Sequence, residues 1–290
     1  MESTDGQGDA RVAALKERDL AGCLALSRSA NWNQNEPDWR VMLAIGRGWG
    51  LTLADGTLAA STIVLPYGGK FAWISMVLVL PEHRRKGYAS LLLQKALREN
   101  ARLGLTSILD ATPAGHEVYV QEGFQDCWSF SRFSLSSFAK EISFEKEIRP
   151  IVKTDWPAIL ELDLRAFGAS RERLLRNLAS RLPEAALAVE RDGKLAGFVL
   201  GRDGREARQI GPLVAQDEAT ATGLLNAALA GVRAPIYIDI VDHAPALQAW
   251  AQAHGFAFQR PFTRMVHGAG TVPAPGDETL VFCPAGPELG

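Results

Sequence analysis

Four short segments of this 290-residue chain recur in the same order at offsets of 132 to 137 residues. ALKERDLAGCLAL is answered by PIVKTDWPAILEL (Asp19 against Asp155), and ADGTLAAST by RDGKLAGFV (Asp55 against Asp192). SMVLVLPEH is answered by IGPLVAQDE (Val79 against Val214), and VYVQEGF by WAQAHGF (Gly123 against Gly255). A long, ordered self-similarity means one unit of structure written twice. The length suits two domains of ordinary size. The charged stretch Lys140–Pro150 marks the join, so the expected units are 1–140 and 141–290.

Each unit carries the same signals. Asp19 opens one amphipathic helix, and Asp155, with Pro157 in the first turn, opens its counterpart. A second helical stretch follows, PDWRVMLAIG or SRERLLRNLASRL, and then two strands about a D-G turn. An apolar strand, a helix, a strand, a short helix ending at Gly-Phe and a last strand complete the unit. This order predicts an α/β (α+β) fold, each unit a mixed central sheet flanked by helices. The tail Gly268–Gly290 is rich in Pro and Gly, and its Thr279–Phe282 reads as a short edge strand.

Composition narrows the partners. Hydrophobic residues at 47% and charged residues at 22% describe a chain able to bury real cores. A net charge of -2 leaves no field of one sign for nucleic acid or an anionic membrane. Cys23, Cys127 and Cys283 are far apart and form no CxxC pair, so neither a disulfide framework nor a structural zinc site is expected. They read as small buried hydrophobes in a reducing compartment. The polar start MESTDGQGDARV has no apolar core of a signal peptide, and Phe71–Pro81 is too short to span a bilayer. The expectation is a cytoplasmic protein without metal, nucleic-acid or membrane partners.

The residues that carry chemistry lie in Val79-Leu-Pro-Glu-His-Arg84-Arg-Lys-Gly87-Tyr-Ala89-Ser. A buried strand ends, proline breaks it, and a basic loop with glycine opens a helix. Helix N-termini offer unpaired N–H groups and the positive end of the dipole, so this is an anion cradle. Arg84, Arg85 and Lys86 add positive charge, while Gly87 and Ala89 permit close backbone approach. Neither GxxxxGK[ST] nor a strand-linked GxGxxG is present.

V-x-P-x-x-R-x-x-G-x-A, followed by Tyr119-x-x-x-Gly123-Phe124, resembles the GNAT N-acetyltransferases, at motif level from about Val12 to Leu135. The resemblance implies a tandem GNAT chain that uses acetyl-CoA as co-substrate and an amine as acceptor. Val77, Leu78 and Val79 would meet the pantetheine arm, and Arg85, Lys86, Gly87, Tyr88, Ala89 and Ser90 would hold the pyrophosphate, with Arg84 bracing the loop. Backbone N–H groups near Leu78 would face the oxyanion. Tyr119 stands where the family places the acid that protonates the leaving sulfur, while its other reading is packing on Phe124. DATPxG at Asp110–Gly115 resembles one branch of the family. Glu36, Asp38, Asp110, His116 and Glu117 are unranked candidates for the base. Trp32 and Trp39 in NWNQNEPDW read either as walls of the acceptor pocket or as core.

In the second unit a gapless pairing on the valines sets Ala219 against Arg84, Thr222 against Gly87 and Leu224 against Ala89. Asp217 and Glu218 fall where phosphate would arrive, and Ala251 replaces Tyr119. The expectation is one catalytic unit and one supportive unit. The alternative is a non-catalytic acyl-CoA-binding or sensor protein on the same fold.

Overall fold

The computed structural model describes residues 10–137, 147–268 and 275–290; the expected boundary at 140/141 and the first nine residues lie outside them. The first half runs β1 (Arg11–Ala14), α1 (Leu20–Ser29), α2 (Glu36–Ile45), β2 (Arg47–Thr52), β3 (Leu58–Tyr67) and β4 (Phe71–Val79). It continues with α3 (Tyr88–Arg102), β5 (Thr106–Ala111), α4 (Pro113–Gln121) and β6 (Phe124–Leu135). The second half repeats this as β7 (Arg149–Pro150), α5 (Trp156–Phe167), α6 (Glu172–Arg181), β8 (Leu187–Arg191), β9 (Lys194–Arg202) and β10 (Arg208–Ala215). Then come α7 (Glu218–Gly231), β11 (Ile236–Val241), α8 (Pro245–Ala253), β12 (Ala257–His267) and the short β13 (Val281–Cys283). The repeat in the sequence is thus a repeat of elements.

Asp19 and Asp155 do not cap their helices by accepting from the turn ahead. Each reaches back to an N–H three residues earlier, Lys16 N–H to Asp19 at 2.8 Å and Val152 N–H to Asp155 at 2.8 Å. A 3-10 turn precedes each helix, so the free donor lies upstream.

The halves share one sheet, in the order β1-β2-β3-β4-β5-β12-β6-β11-β10-β9-β8-β7. The last strands are exchanged: β12 pairs with β5, and β6 pairs with β11. β6 and β12 lie side by side, antiparallel, at the centre. Phe130 of β6 stacks on Phe262 of β12, ring centroids 5.0 Å apart and 13° from parallel. Opposite positions on β6 and β11 hold Arg132 and Asp239, both fully buried, joined by two hydrogen bonds of 2.7 Å. Gln209 of β10 also donates to Asp239, at 2.6 Å. Burial works against the Arg132 charge, but Asp239 outweighs it and the guanidinium pKa is raised.

The sheet opens in two places. β4 and β5 are bonded only from Phe71 to Trp73, against Thr106 to Ile108, and then part. β10 and β11 are bonded only from Arg208 to Ile210, against Ile236 to Ile238. The second gap is filled. β13 pairs antiparallel with β10, Cys283 opposite Leu213 and Val281 opposite Val214, and packs against β11. The tail therefore adds its strand inside a gap rather than at an edge, because Val281, Phe282 and Cys283 are apolar and the gap offers unpaired backbone. Gly211 permits this approach: at φ 147° a Cβ there would stand 2.2 Å from the Pro284 carbonyl oxygen.

Removing one partner of a buried ion pair costs about 3–5 kcal/mol. Asp239→Ala is expected to lose that much stability in urea titration. A loss within the range of a surface pair, below about 1 kcal/mol, would contradict the assigned role of the pair.

Candidate active site

The open gap is shaped by a bulge in β4. Ser61 of β3 faces Leu78, but Ile63, two residues on, faces Ser75, so β4 carries an extra residue. Met76 takes up the irregularity with φ 52°, and its carbonyl accepts from the Ser61 hydroxyl at 2.8 Å. From Ile74 to Val79 the β4 edge facing β5 has no strand partner among the described residues. An extended ligand can pair with such an edge. Val77 and Val79 are half-buried on this stretch, whereas the Leu78 side chain is buried in the core.

The gap leads to the basic loop. Arg85 (φ 60°) and Gly87 (φ 79°) both adopt left-handed backbone on either side of Lys86, a geometry that turns successive N–H groups to one side. The first backbone bond of α3 is Leu91 N–H to Gly87, at 3.0 Å. The N–H groups of Tyr88, Ala89 and Ser90 therefore have no backbone acceptor among the described residues. Arg84, Arg85 and Lys86 are exposed and form no ion pair among those residues. Arg84 Nε lies 3.4 Å from the Val79 carbonyl. The Tyr88 ring packs near Leu51, Ala59 and Leu92, so its part in the cradle is its backbone N–H. A Cβ on Gly87 would meet nothing within 4 Å and would point into open space.

At the inner end of the gap lies a cavity of about 40 Å³, room for a small head group. Its walls include Ser75 and Met76 of the bulge, Asp110, Tyr119 and Phe262. Tyr119 is half-buried, its ring edge-on to Phe124 at 5.8 Å. Burial pushes the Tyr119 phenol up to about 12. A Cβ at Gly115 would stand 2.9 Å from the ring, so glycine one turn earlier makes room for the phenol. Packing and access to the cavity hold together, because the ring packs while the residue lines the void.

The candidate bases separate clearly. Exposed Glu36 binds Arg40 at 2.8 Å, and His116 binds Asp126 at 2.8 Å. Glu117 is exposed, and buried Asp38 is held by Arg181 and Arg202, each at 2.6 Å. Asp110 reaches the cavity, but Arg264 engages both its oxygens at 2.9 and 3.0 Å. Arg264 lies in turn between Trp73 and Trp128, 4.4 and 4.0 Å from the ring centroids. Trp32 lines the cavity, whereas Trp39 is core, its indole N–H donating to Ser27 at 2.9 Å.

Three charged cavity residues escape sequence reasoning: Arg132, Arg260 and Glu288. All come from the exchanged strands or the tail. Glu288 is carried in after β13 by a segment whose Pro287 and Leu289 carbonyls accept from Trp73 Nε1 at 3.0 Å and the Tyr67 hydroxyl at 2.9 Å. One Glu288 oxygen binds Arg202, whose other arm holds Asp38. The α1–α2 connection is fixed by the second half as well. Asn33 accepts from Glu206 and Ala207 N–H at 2.8 and 3.0 Å, and Arg205 Nε donates to the Trp32 carbonyl at 3.0 Å.

In the second half the loop is shorter. Eight residues (80–87) separate Val79 from α3, but only three (215–217) separate Val214 from α7. Ala219, Thr222 and Leu224 consequently lie inside α7, and the gapless pairing with Arg84, Gly87 and Ala89 is replaced by a deletion. Asp217 caps α7 by accepting from Thr220 N–H at 2.7 Å, and Glu218 accepts from Leu247 N–H at 2.7 Å. The helix dipole already faces the chain's own carboxylates.

The first half thus keeps an open strand gap that runs onto a helix N-terminus without a side-chain cap. An acetyltransferase (GNAT) family model matches residues 11–124, and an acetyltransferase (GNAT) domain model matches 159–281. The chain belongs to the GNAT acetyltransferase family, with two GNAT domains in tandem. It is 28% identical to a Bacillus subtilis protein named "Uncharacterized N-acetyltransferase YitH", over 78% of this chain and 80% of that one. It is 24% identical to a holothin acyltransferase of a Pseudoalteromonas species, over 82% and 79% of the two chains. Among solved structures, a putative acetyltransferase from Pyrococcus horikoshii superposes with a TM-score of 0.81 at 19% identity, covering 100% and 99% of the chains. A tandem GNAT protein from the clavulanic acid biosynthesis pathway superposes with a TM-score of 0.65 at 16% identity, covering 91% and 100%. These structural likenesses concern the fold.

Gly87→Glu would place a carboxylate in the open space before α3 and leave the core untouched. Expected is loss of acetyl-CoA binding by calorimetry with a folded circular-dichroism spectrum. Unchanged affinity in the folded variant would contradict the cradle.

Proposed function

We propose that this GNAT enzyme transfers an acetyl group from acetyl-CoA to a primary amine of a small molecule or peptide, by direct attack in a ternary complex formed in the first half. The observation that carries the reading is the contrast between two related gaps, one open onto a basic loop and one filled by β13. Arg85 to Ser90 would hold the pyrophosphate, with Arg84 beside them, and Val77 to Val79 the pantetheine arm. The second half would bind no coenzyme and would instead brace the acceptor side through Arg181, Arg202 and Arg205. The buried thiols Cys23 and Cys283 suit a reducing cytoplasm.

In this reading the amine nitrogen attacks the thioester carbon, the C–S bond breaks, and sulfur takes a proton from Tyr119. The nitrogen of the adduct returns a proton to the phenol, so one proton per turnover reaches solvent when the acceptor enters as an ammonium. A phenol with its pKa raised keeps its proton across the neutral range, as a donor must. Backbone N–H groups at the β4 bulge would face the developing oxyanion.

Tyr119→Phe keeps the packing on Phe124 and removes the hydroxyl. Turnover, followed as released CoA thiol, is expected to fall about 10²- to 10⁴-fold with acetyl-CoA affinity nearly unchanged. Wild-type kcat should not decline through phenol ionisation between about pH 7 and 10, because the raised pKa lies above the ordinary tyrosine value of about 10. Undiminished thiol release by Tyr119→Phe would remove the acid from the mechanism. Acetyl-CoA binding without turnover on any amine would favour a sensor over an enzyme.

A further inference from the structure

Four residues that line the inner cavity each carry a buried side-chain atom without a hydrogen-bond partner among the described residues: Gln34 Oε1, Ser75 Oγ, Arg260 Nε and Glu288 Oε2. Gln34, Ser75 and Glu288 are only 3%, 6% and 2% exposed. Buried polar atoms are almost always satisfied, so four orphans around one void mark the place of a ligand. Their types differ in a useful way. Gln34 Oε1 and Glu288 Oε2 are acceptors, one neutral and one anionic, while Arg260 Nε is a cationic donor.

The neighbouring charges leave one Glu288 oxygen and the Arg260 guanidinium without a hydrogen-bond partner among the described residues. Glu288 spends its other oxygen on Arg202. Arg132 is committed to Asp239 and Asp110 to Arg264. Arg260 has no carboxylate partner among the described residues. Burial, and then repulsion from Arg132, pull the Arg260 pKa down, outweighing the opposite pull of Asp239, Tyr237 and Glu288. The cavity thus offers one negative and one positive subsite in a space of about 40 Å³.

We infer that the acceptor of the acetyltransferase proposed above is a small zwitterion, an amino compound bearing a carboxylate, its ammonium held by Glu288 and Gln34 and its carboxylate by Arg260. A single unmatched cation suits a carboxylate better than a phosphate dianion. A peptide N-terminus, which lacks a nearby carboxylate, fills only the acidic subsite. This assignment rests on the transferase reading, and the test separates the two.

The whole protein, with saturating acetyl-CoA, is assayed for thiol release with the proteinogenic amino acids, β-alanine and γ-aminobutyrate, each beside its decarboxylated amine. At least one amino acid is expected to exceed its amine by about 10- to 100-fold in kcat/KM, carried by KM, the worth of a charged hydrogen bond. Arg260→Met should bring that pair within about threefold, chiefly by raising the amino acid's KM, and Arg260→Lys should restore part of the preference. A purely structural Arg260 would lower both substrates together. The inference is overturned if amines match their amino acids, if the preference survives Arg260→Met, or if acetyl-CoA binds and no zwitterion is acetylated. Should Arg260→Met not fold, the wild-type comparison alone decides. Absence of acetyl-CoA binding would instead defeat the transferase reading itself.

Discussion

The exchange of β6 and β12 is the constraint on which the other features rest. Each half surrenders its last strand to the other, so neither sheet closes without its neighbour. The exchange brings Arg132 opposite Asp239 and stacks Phe130 on Phe262. Non-local pairing of this kind closes long loops in a folding chain, and the buried contacts across the seam must offset that entropy. The seam also delivers Arg132, Arg260 and Phe262 to a cavity otherwise walled by first-half residues and by Pro287 and Glu288 of the tail.

Duplication supplied two gaps and divergence used them differently. In the first half β4 parts from β5 after Trp73, and a long basic loop leads to a helix whose first N–H groups are free. In the second half five loop residues are missing, Asp217 occupies the helix N-terminus, and β13 fills the gap. The same tail then continues to the first half, where the Pro287 and Leu289 carbonyls accept from Trp73 and Tyr67 and Glu288 joins the cavity wall. The filled gap anchors a segment that shapes the cavity at the open one. That is a physical content for a supportive half: it fixes the α1–α2 connection and the tail in place.

Much of this was legible along the chain, for reasons that differ by residue. Periodicity, D-G turns and the Gly-Phe landmarks reveal elements because those patterns are local, and they do so in both halves. The loop from Arg84 to Ser90 is legible because glycine, basic residues and a helix start must be contiguous to cradle an anion. Strand exchange is not legible, since β6 and β12 have the same alternation whichever half they join. Glu288 and Arg260 are not either. Their roles arise from partners far away in sequence, Arg202 and the cavity itself, and neither stands in a motif. The strand expected over Thr279–Phe282 stands at Val281–Cys283, with Thr279 and Leu280 in a 3-10 turn, and its place as a filler is not legible because the gap that receives it exists only in three dimensions.

The central claim is that one half of this duplicated chain binds coenzyme and the other has given its gap to the tail. Isothermal titration of the wild-type protein with acetyl-CoA tests this most directly. The account predicts a single class of site with a stoichiometry of one per chain. Two equivalent sites per chain, or none, would contradict it.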